Sequence, residues 1–127
     1  KKPIWAGFST RLSDTGLVLS FMEEDDIPFG SVVKIVKDFN IDVAGIMHTD
    51  VNAVSPSLEV LKNFFDGPLM VYPDSGGWVS PNWDFDRVIQ PKQLKSFAEK
   101  WIDEGVNIIG GCCGLSPNHI KEIATLK

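Results

Sequence analysis

The segment "IIGGCCGLSPNHI" at 108–120 joins an expected strand to an expected helix, and this strand–turn–helix order decides the fold expected for the chain. An apolar run at 106–111 is typical of a buried strand, and Ser116 followed by Pro is a typical helix start. Between them lie Cys112 and Cys113, flanked by three glycines. Because consecutive side chains on a strand point to opposite faces, the two thiols can face one ligand only if the strand ends before them. The glycines permit the turn that this requires.

The same strand–helix order recurs along the chain. Four apolar runs predict strands at 3–9, 42–47, 68–72 and 106–111. Amphipathic or capped segments predict helices at 28–40, 55–65, 91–105 and 116–127. Because the strands are apolar almost throughout, they indicate a parallel sheet buried on both faces. The expected fold class is therefore α/β, with four parallel βα units and right-handed crossovers.

Local signals set the expected limits of the helices and the residues they bury. Ser55 is expected to cap its helix with Pro56 in the first turn, and Gly105 is expected to end the third helix. The helix at 28–40 is expected to bury one apolar stripe, made of Val32, Val33, Ile35, Val36 and Phe39. The third helix is expected to bury Leu94, Phe97, Ala98, Trp101 and Ile102.

Polar and glycine-containing segments follow the expected strands, which places all of them at the carboxyl edge of the sheet. The segments 10–28 and 73–90 are longer than most connections, and this favours functional loops. His48 directly follows the second strand, and the cysteine pair follows the fourth. In α/β proteins this edge is where ligands bind, so we expect the functional site there.

The composition is that of an ordinary single domain, and it argues against some classes of partner. The chain has 127 residues, 43% apolar content and a net charge of −5, so 1–127 is expected to form one domain. Scattered Lys and Arg argue against binding nucleic acid or an anionic membrane surface. No apolar run approaches the roughly 20 residues of a membrane helix. Adjacent cysteines make a strained disulfide, so we expect reduced thiols and a cytoplasmic location.

Cys112, Cys113 and His48 form the candidate metal site. Zinc prefers four-coordinate sites with nitrogen and sulfur ligands, and a catalytic site uses three protein ligands with the fourth position open. Taken alone, the thiols could be buried structural residues and His48 a polar loop residue, but their shared edge favours metal binding. His119 lies in the first turn of the last expected helix, where we expect a solvent-facing or capping residue.

Four motifs give the chain a resemblance to a known family. "PIWAGFS", "VAGIMH", "PLMVYPDSGG" and "IIGGCCGLSPNHI" are similar to the fifth- to eighth-strand motifs of the zinc-dependent homocysteine S-methyltransferases, and the last is the most specific. The "YPDSG" loop resembles that of the S-methylmethionine-type branch. The family fold is a (βα)8 TIM-type barrel. The resemblance therefore implies that the chain is the second half of the barrel, completed by dimerisation or by missing sequence.

The resemblance implies a zinc ion held by Cys112, Cys113 and a third residue at the end of the sixth strand. The family has a "GxNC" motif there, whereas this chain has Met47 and His48 in place of the Asn and Cys. An imidazole is a good zinc ligand but carries no negative charge. We therefore expect zinc binding through His48 to be retained, with a stronger Lewis acid, a less nucleophilic thiolate and an altered methyl-transfer rate.

The implied reaction is methyl transfer from a sulfonium donor such as S-methylmethionine to homocysteine, giving methionine, with the thiol deprotonated at the open zinc position. Tyr72, Asp74 and Ser75 are the expected substrate-binding residues, although 73–76 could equally form a turn. Trp78 and Trp83 could enclose the sulfonium by cation–π contact or could pack locally.

Two interpretations of the function remain open. The first is a methyltransferase, or its zinc-binding half, acting on homocysteine and a sulfonium donor. The second is a non-catalytic zinc-binding half-barrel module that works only in an assembly, because the family's first-strand segment, which helps to hold homocysteine, has no match here. Both interpretations need a partner. We therefore expect a homodimer or pairing with an N-terminal half, either of which would cover the sheet edges.

Overall fold

The computed structural model describes residues 2–22 and 24–126, so Glu23 of the expected 10–28 loop and Lys127 of the last expected helix lie outside the described residues. The strands are β1 (Trp5–Phe8), β2 (Thr10–Leu12), β3 (Val18–Ser20), β4 (Val43–Asp50), β5 (Leu69–Asp74), β6 (Gly77–Val79), β7 (Asn82–Asp84) and β8 (Val106–Ile109). The helices are α1 (Phe29–Val33), α2 (Val51–Lys62), α3 (Pro91–Asp103) and α4 (Pro117–Ile123). Short 3₁₀ helices lie at Lys34–Asp38 and Phe85–Arg87.

The main sheet has four parallel strands in the order β1-β4-β5-β8. All four expected strands are confirmed in position, and each is a neighbour of the next one along the chain. Helices alternate with the strands, so the α/β class with four parallel βα units is confirmed. This order, with no strand inserted between sequential neighbours, is compatible with a segment of a barrel wall.

The core lies on the face of the sheet that the helices cover. Ala44, Ile46, Leu69 and Val71 alternate along β4 and β5 and share one apolar cluster with Trp101 of α3. The expectation of strands buried on both faces is wrong at other positions, because Trp5 is 50% exposed and Met47 39% exposed. Trp5 and Met47 lie on the face opposite the helices, and Met70 on that same face is buried.

The first and third helices differ from the sequence prediction in their length or in the residues that they bury. The segment 28–40 forms only α1 and a 3₁₀ turn, so the expected stripe is partly wrong. Val33 and Val36 are buried, whereas Val32, Ile35 and Phe39 are exposed. In the third helix, α3, the expected positions Leu94, Ala98 and Trp101 are buried and Phe97 is partly buried, but Ile102 is exposed.

The second helix starts earlier than the Ser-Pro signal predicts. α2 begins directly after β4, where the Asp50 carboxylate accepts a hydrogen bond from the Asn52 backbone N–H at 2.9 Å. Ser55 is therefore not the N-cap, and Pro56 lies inside the helix. Proline here costs only the hydrogen bond to the carbonyl of Asn52, four residues earlier and close to the helix start. A stronger cap upstream outweighs that single loss.

The two long connections are more ordered than loops. The segment after β1 contains the antiparallel pair of β2 and β3, and the segment after β5 contains the pair of β6 and β7. Both hairpins stand at the carboxyl edge of the main sheet and enclose the space above it. None of the helices within residues 2–22 and 24–126 is long and apolar enough to cross a membrane.

Candidate metal centre

Three potential metal ligands meet at the carboxyl edge of the sheet. The Nδ1 atom of His48 lies 3.8 Å from the Sγ atom of Cys112 and 3.9 Å from that of Cys113, and the two sulfurs are 3.9 Å apart. Both cysteines are free thiols, as expected. The fold therefore brings the three predicted metal ligands together, although His48 is 64 and 65 positions away from the two cysteines along the chain.

These separations fit a tetrahedral zinc ion. With Zn–S bonds of about 2.3 Å and a Zn–N bond of about 2.0 Å, tetrahedral geometry requires about 3.8 Å between sulfurs and about 3.5 Å between sulfur and nitrogen. The observed triangle of 3.8, 3.9 and 3.9 Å is within a few tenths of an ångström of that requirement. Two sulfurs and an imidazole also match the ligand types that zinc selects. The donor set and its spacing can hold zinc with one position left for another ligand.

The cysteine pair stands on a loop fastened to the neighbouring strand. β8 ends at Ile109, so both cysteines lie beyond it in the turn that the sequence requires. The backbone N–H of Cys112 donates to the Pro73 carbonyl at 2.9 Å, and the carbonyl of Cys113 accepts from the Ser75 N–H at 3.0 Å. These two bonds continue the pairing of β5 past the end of β8. They fix the loop against the strand that carries Asp74.

Gly114 allows this close approach. Its φ of +78° is in the left-handed region, and a Cβ atom at this position would lie 1.9 Å from the Ser75 carbonyl oxygen. Any larger residue would therefore push the cysteine loop away from β5. The glycines of the sequence motif are required where the loop turns and where it touches the neighbouring backbone.

His48 reaches the site through an irregularity in β4. Met47 pairs with Tyr72 and Asp50 pairs with Asp74, so β4 takes three steps where β5 takes two. The extra residue is a β-bulge, a feature that re-aims side chains near functional sites. His48 has φ +48°, and within residues 2–22 and 24–126 no other non-glycine residue has a positive φ. The imidazole is thus directed to the thiols by a backbone conformation that histidine adopts at a cost.

Asp74 adds a carboxylate beside the three ligands. Its Oδ2 atom lies 3.5 Å from Nδ1 of His48, and the residue is buried. Burial raises the pKa of Asp74 and the neighbouring Asp50 carboxylate raises it further, while His48 acts in the opposite direction. Burial also raises the pKa of the Cys113 thiol, and Cys112 and Asp74 add to that effect. A bound cation would favour the charged forms of these groups.

A cavity of about 970 Å³ opens above the candidate ligands. It is bounded by both hairpins and by the ends of β4 and β5. His48, Asp74 and Cys113 lie on its wall. The open position of a three-ligand metal site would therefore face a space large enough for small-molecule substrates.

Aromatic rings line the same cavity. Trp78 and Trp83 are cross-strand partners in the β6–β7 hairpin. Trp83 is fixed because its indole N–H donates to the Ser75 carbonyl at 3.1 Å, whereas Trp78 is 64% exposed. The Phe21 ring lies against the His48 ring with centroids 5.1 Å apart and the ring planes tilted by 48°. Both tryptophans therefore face the cavity, and Trp83 also packs locally.

The expected substrate-binding residues separate into different environments. Asp74 lines the cavity. Ser75 is buried, and its hydroxyl accepts a hydrogen bond from the Ile89 N–H at 3.0 Å, so it supports the loop. The half-buried Tyr72 ring packs against Gly110, where an added Cβ would lie 2.4 Å from the ring. The turn considered at 73–76 is wrong for Pro73 and Asp74, which belong to β5, and the chain bends only at Gly76, with φ +97°.

His119 is a capping residue, which is one of the two roles expected for it. The other role is wrong, because the residue is buried and does not face the solvent. Its Nδ1 accepts from the backbone N–H of Ser116 at 3.0 Å, and its Nε2 lies 2.7 Å from the Ile89 carbonyl. These partners require the neutral tautomer with the proton on Nε2. Both ring nitrogens are engaged, which leaves His119 outside the ligand set.

Sequence reasoning missed Phe21 and Arg11, which also line the cavity. Both belong to the segment after β1 that folds into the β2–β3 hairpin, and Arg11 pairs with Asp26 at 2.7 Å. The turn residues Ser13, Asp14 and Gly16 lie between β2 and β3 and are a weak hairpin signal. It could have indicated that this segment returns to the sheet edge.

The family model described as homocysteine S-methyltransferase matches residues 1–126. The chain belongs to the homocysteine S-methyltransferase family. The match covers nearly the whole chain, so the resemblance of the four strand motifs is confirmed. In this family member, three side chains that could hold a metal ion lie together: His48, Cys112 and Cys113.

Three relatives illustrate the extent of the similarity. The chain is 24% identical over 124 residues to selenocysteine methyltransferase of Astragalus bisulcatus, covering 95% of this chain and 35% of that protein. It is 32% identical over 85 residues to homocysteine S-methyltransferase YbgG of Bacillus subtilis, covering 66% and 27%. It is 33% identical over 95 residues to homocysteine S-methyltransferase 1 of Saccharomyces cerevisiae, covering 68% and 28%. The chain thus spans about a third or less of the length of these relatives.

Proposed function

We propose that the chain is the zinc-binding part of a homocysteine S-methyltransferase, which transfers a methyl group from a sulfonium donor to the thiol of homocysteine. The observation that carries this proposal is the triangle formed by His48, Cys112 and Cys113, whose edges suit a tetrahedral ion with an open position. When bound, zinc would supply the positive charge that keeps a thiol ligand ionised at neutral pH. Family membership supports the choice of homocysteine as the thiol.

Asp74 corrects the charge deficit expected from a histidine ligand. Two thiolates and a neutral imidazole carry one negative charge fewer than three thiolates. The Asp74 carboxylate, 3.5 Å from Nδ1 of His48, places a further negative charge next to the ligands. We propose that this carboxylate keeps a thiolate in the open position nucleophilic. It is also near enough to accept the proton that the incoming thiol releases.

The cavity wall supports a sulfonium as the methyl donor. A sulfonium is a compact cation with apolar substituents, and aromatic faces attract such groups when water is excluded. Trp83 is held in one orientation by the Ser75 carbonyl, and Trp78 and Phe21 lie on the same cavity. The fixed Trp83 ring is the proposed contact for the donor cation. Asp74 adds a negative charge on the same wall.

The open face of the sheet supports a half-barrel that requires a partner. Trp5 and Met47 are exposed on the side opposite the helices, and β1 and β8 are the edge strands. A second set of four βα units would cover these groups and pair both edges. We propose that an N-terminal half or a second copy of the chain takes this place. The same partner would supply the remaining contacts to homocysteine.

A second candidate function is a non-catalytic zinc-binding module. It is favoured by the same open cavity and bare sheet face, because a site without walls on one side holds zinc but orients two substrates poorly. The difference between the two functions lies in turnover and not in metal binding. Both require the ligand triangle.

One experiment separates the two functions. Protein purified without chelators is expected to contain one zinc per chain. Methionine formation from homocysteine and S-methylmethionine is then measured for the chain alone and with an N-terminal half-barrel from a relative added as a separate chain. Turnover in either arm supports the methyltransferase. Zinc without turnover in both arms supports the module, and absence of zinc contradicts both.

The matched control is His48→Ala, which removes one ligand and leaves both thiols. Undiminished zinc binding by this variant would exclude His48 as a ligand. Sedimentation of the chain alone tests the partner: a dimer supports self-pairing. A monomer at micromolar concentration contradicts self-pairing and leaves the N-terminal half as the proposed partner.

A further inference from the structure

A buried cluster of hydroxyl groups lies directly beneath the bulge that carries His48. The cluster consists of Thr10, Thr49 and Ser57, which come from β2, β4 and α2, and all three residues are at most 2% exposed. None of them is a metal ligand or a catalytic group. Buried hydroxyls without partners are costly, so their arrangement has a structural consequence.

Thr49 connects the two sides of the bulge. Its hydroxyl donates to the Met47 carbonyl at 3.0 Å, so the bond spans His48. The same oxygen accepts from the backbone N–H of Thr10 at 2.9 Å. One hydroxyl therefore fixes the peptide before His48 and ties the residue after it to β2.

The cluster continues from β2 to α2. The Ser57 hydroxyl donates to the Ala53 carbonyl at 2.7 Å, so its oxygen accepts the proton of the Thr10 hydroxyl, also at 2.7 Å. Each of the three hydroxyls thus has an acceptor for its proton. Fully satisfied networks of this kind select one arrangement of the elements they join.

The position of His48 explains why such a network is needed. Its left-handed backbone is unfavourable for a residue with a side chain, and the partly exposed ring is in tilted contact with the Phe21 ring. Without the bond that spans it, this residue would relax towards an extended conformation. Because successive side chains on a strand alternate between faces, that change would turn the imidazole away from the thiols.

We propose that Thr49 is the positioning residue for His48, holding the imidazole at the cysteine pair before a metal arrives. This inference rests on the proposed function, because it takes the three side chains as metal ligands. The inference goes beyond the proposed function, because it assigns the preorganisation of the site to a hydroxyl that touches neither metal nor substrate. Outer-shell partners of this kind typically contribute about 10- to 100-fold to metal affinity.

The test compares zinc affinity, by competition with a chromophoric chelator, in four variants of the 127-residue chain. Thr49→Val keeps the β-branched shape but loses the hydroxyl, and we expect binding weaker by about 10- to 100-fold. Thr49→Ser restores the hydroxyl and is expected to restore binding. Ser57→Ala removes a buried hydroxyl of the same cluster but leaves both bonds of Thr49, so it is the matched control and is expected to bind like the wild type. Cobalt spectra report the loss of imidazole from the ligand set in Thr49→Val.

The fourth variant combines Thr49→Val with His48→Ala and completes a double-mutant cycle with the two single variants. If Thr49 acts through His48, Thr49→Val has no further effect on zinc affinity in a His48→Ala background. Equal losses in both backgrounds, or equal losses in Thr49→Val and Ser57→Ala, would overturn the inference. If Thr49→Val does not fold, Thr49→Ala removes the same hydroxyl without a buried methyl in its place. If the wild-type chain binds neither zinc nor cobalt, the proposed function fails and the inference with it. Undiminished binding by Thr49→Val overturns the inference alone.

Discussion

The two parts of the candidate metal centre are built in different ways. The cysteine pair stands on a glycine-rich loop that hydrogen-bonds to β5 through its backbone, and its residues follow each other in sequence. His48 stands on a strained bulge held by the Thr49 hydroxyl, which bonds to the Met47 carbonyl and to the Thr10 backbone N–H. Both parts use tertiary hydrogen bonds, but those of the loop join main-chain atoms, whereas those of the bulge depend on one side chain. This difference predicts unequal responses to mutation.

The largest expected effect follows from removing a thiol. Cys113→Ser replaces a soft anionic ligand with a neutral hydroxyl, and we expect zinc affinity to fall by at least about 1,000-fold, since thiolates dominate such sites. Chelator competition measures the change. Ser96→Ala, on the exposed side of α3, is the control and is expected to retain wild-type affinity. A loss below tenfold would mean that Cys113 is not a ligand.

The contrast between loop and bulge also explains what the sequence could predict. Cys112, Cys113 and His48 were found because each directly follows an apolar strand, and parallel strands bring their carboxyl ends together. The bulge, the left-handed φ of His48 and the contact with Phe21 leave no local signal. The bulge is held by a hydrogen bond from the backbone N–H of Thr10 to the Thr49 hydroxyl, and these two residues are 39 positions apart in the chain. The sequence pattern therefore indicated the three candidate ligands but not the bulge that carries His48.

The fold shows the same division. The strand positions and α3 were predicted because apolar periodicity is a local property. The start of α2 was misplaced because a carboxylate at Asp50, at the end of a strand, caps the helix before the Ser-Pro signal. The segments at 10–28 and 73–90 were expected to be loops. Their hairpin strands are only three residues long, which is too short to show a periodic pattern.

The second-largest effect is expected at the bulge. His48→Ala removes a neutral ligand, and we expect zinc affinity to fall by about 100-fold, less than for a thiolate because no charge is lost. His48→Cys is the informative partner, since it replaces imidazole with an anionic thiolate and is expected to recover affinity. Both are measured by the same competition assay. If the zinc affinity of His48→Cys is no higher than that of His48→Ala, the bulge cannot present a shorter side chain to the metal.

A smaller effect is expected from distorting the loop without removing a ligand. Gly114→Ala places a Cβ against the Ser75 carbonyl and forces a non-glycine residue into the left-handed region. We expect the free energy of unfolding to fall by about 2 kcal/mol and zinc affinity to fall by about tenfold. Urea unfolding and chelator competition measure the two quantities. Gly105→Ala is the matched control, because its φ of +97° is also in the left-handed region but nothing lies within 4 Å of an added Cβ. Equal zinc affinities in the two variants would contradict the role assigned to the close contact.

The smallest expected effect concerns charge rather than ligation. Asp74→Asn keeps the size of the side chain and removes the negative charge 3.5 Å from His48. We expect zinc affinity to fall by less than about tenfold, because the carboxylate acts on the ion across a longer distance than the ligands do. Methyl transfer, measured in the arm that shows turnover, is expected to fall by a larger factor than the affinity, since a less anionic site holds a less nucleophilic thiolate. Asp50→Asn is the control, since it removes a charge from the same cavity wall without the contact to His48. If the two variants lose the same activity, the effect belongs to the general field of the cavity and not to the pairing of Asp74 with the histidine on the bulge.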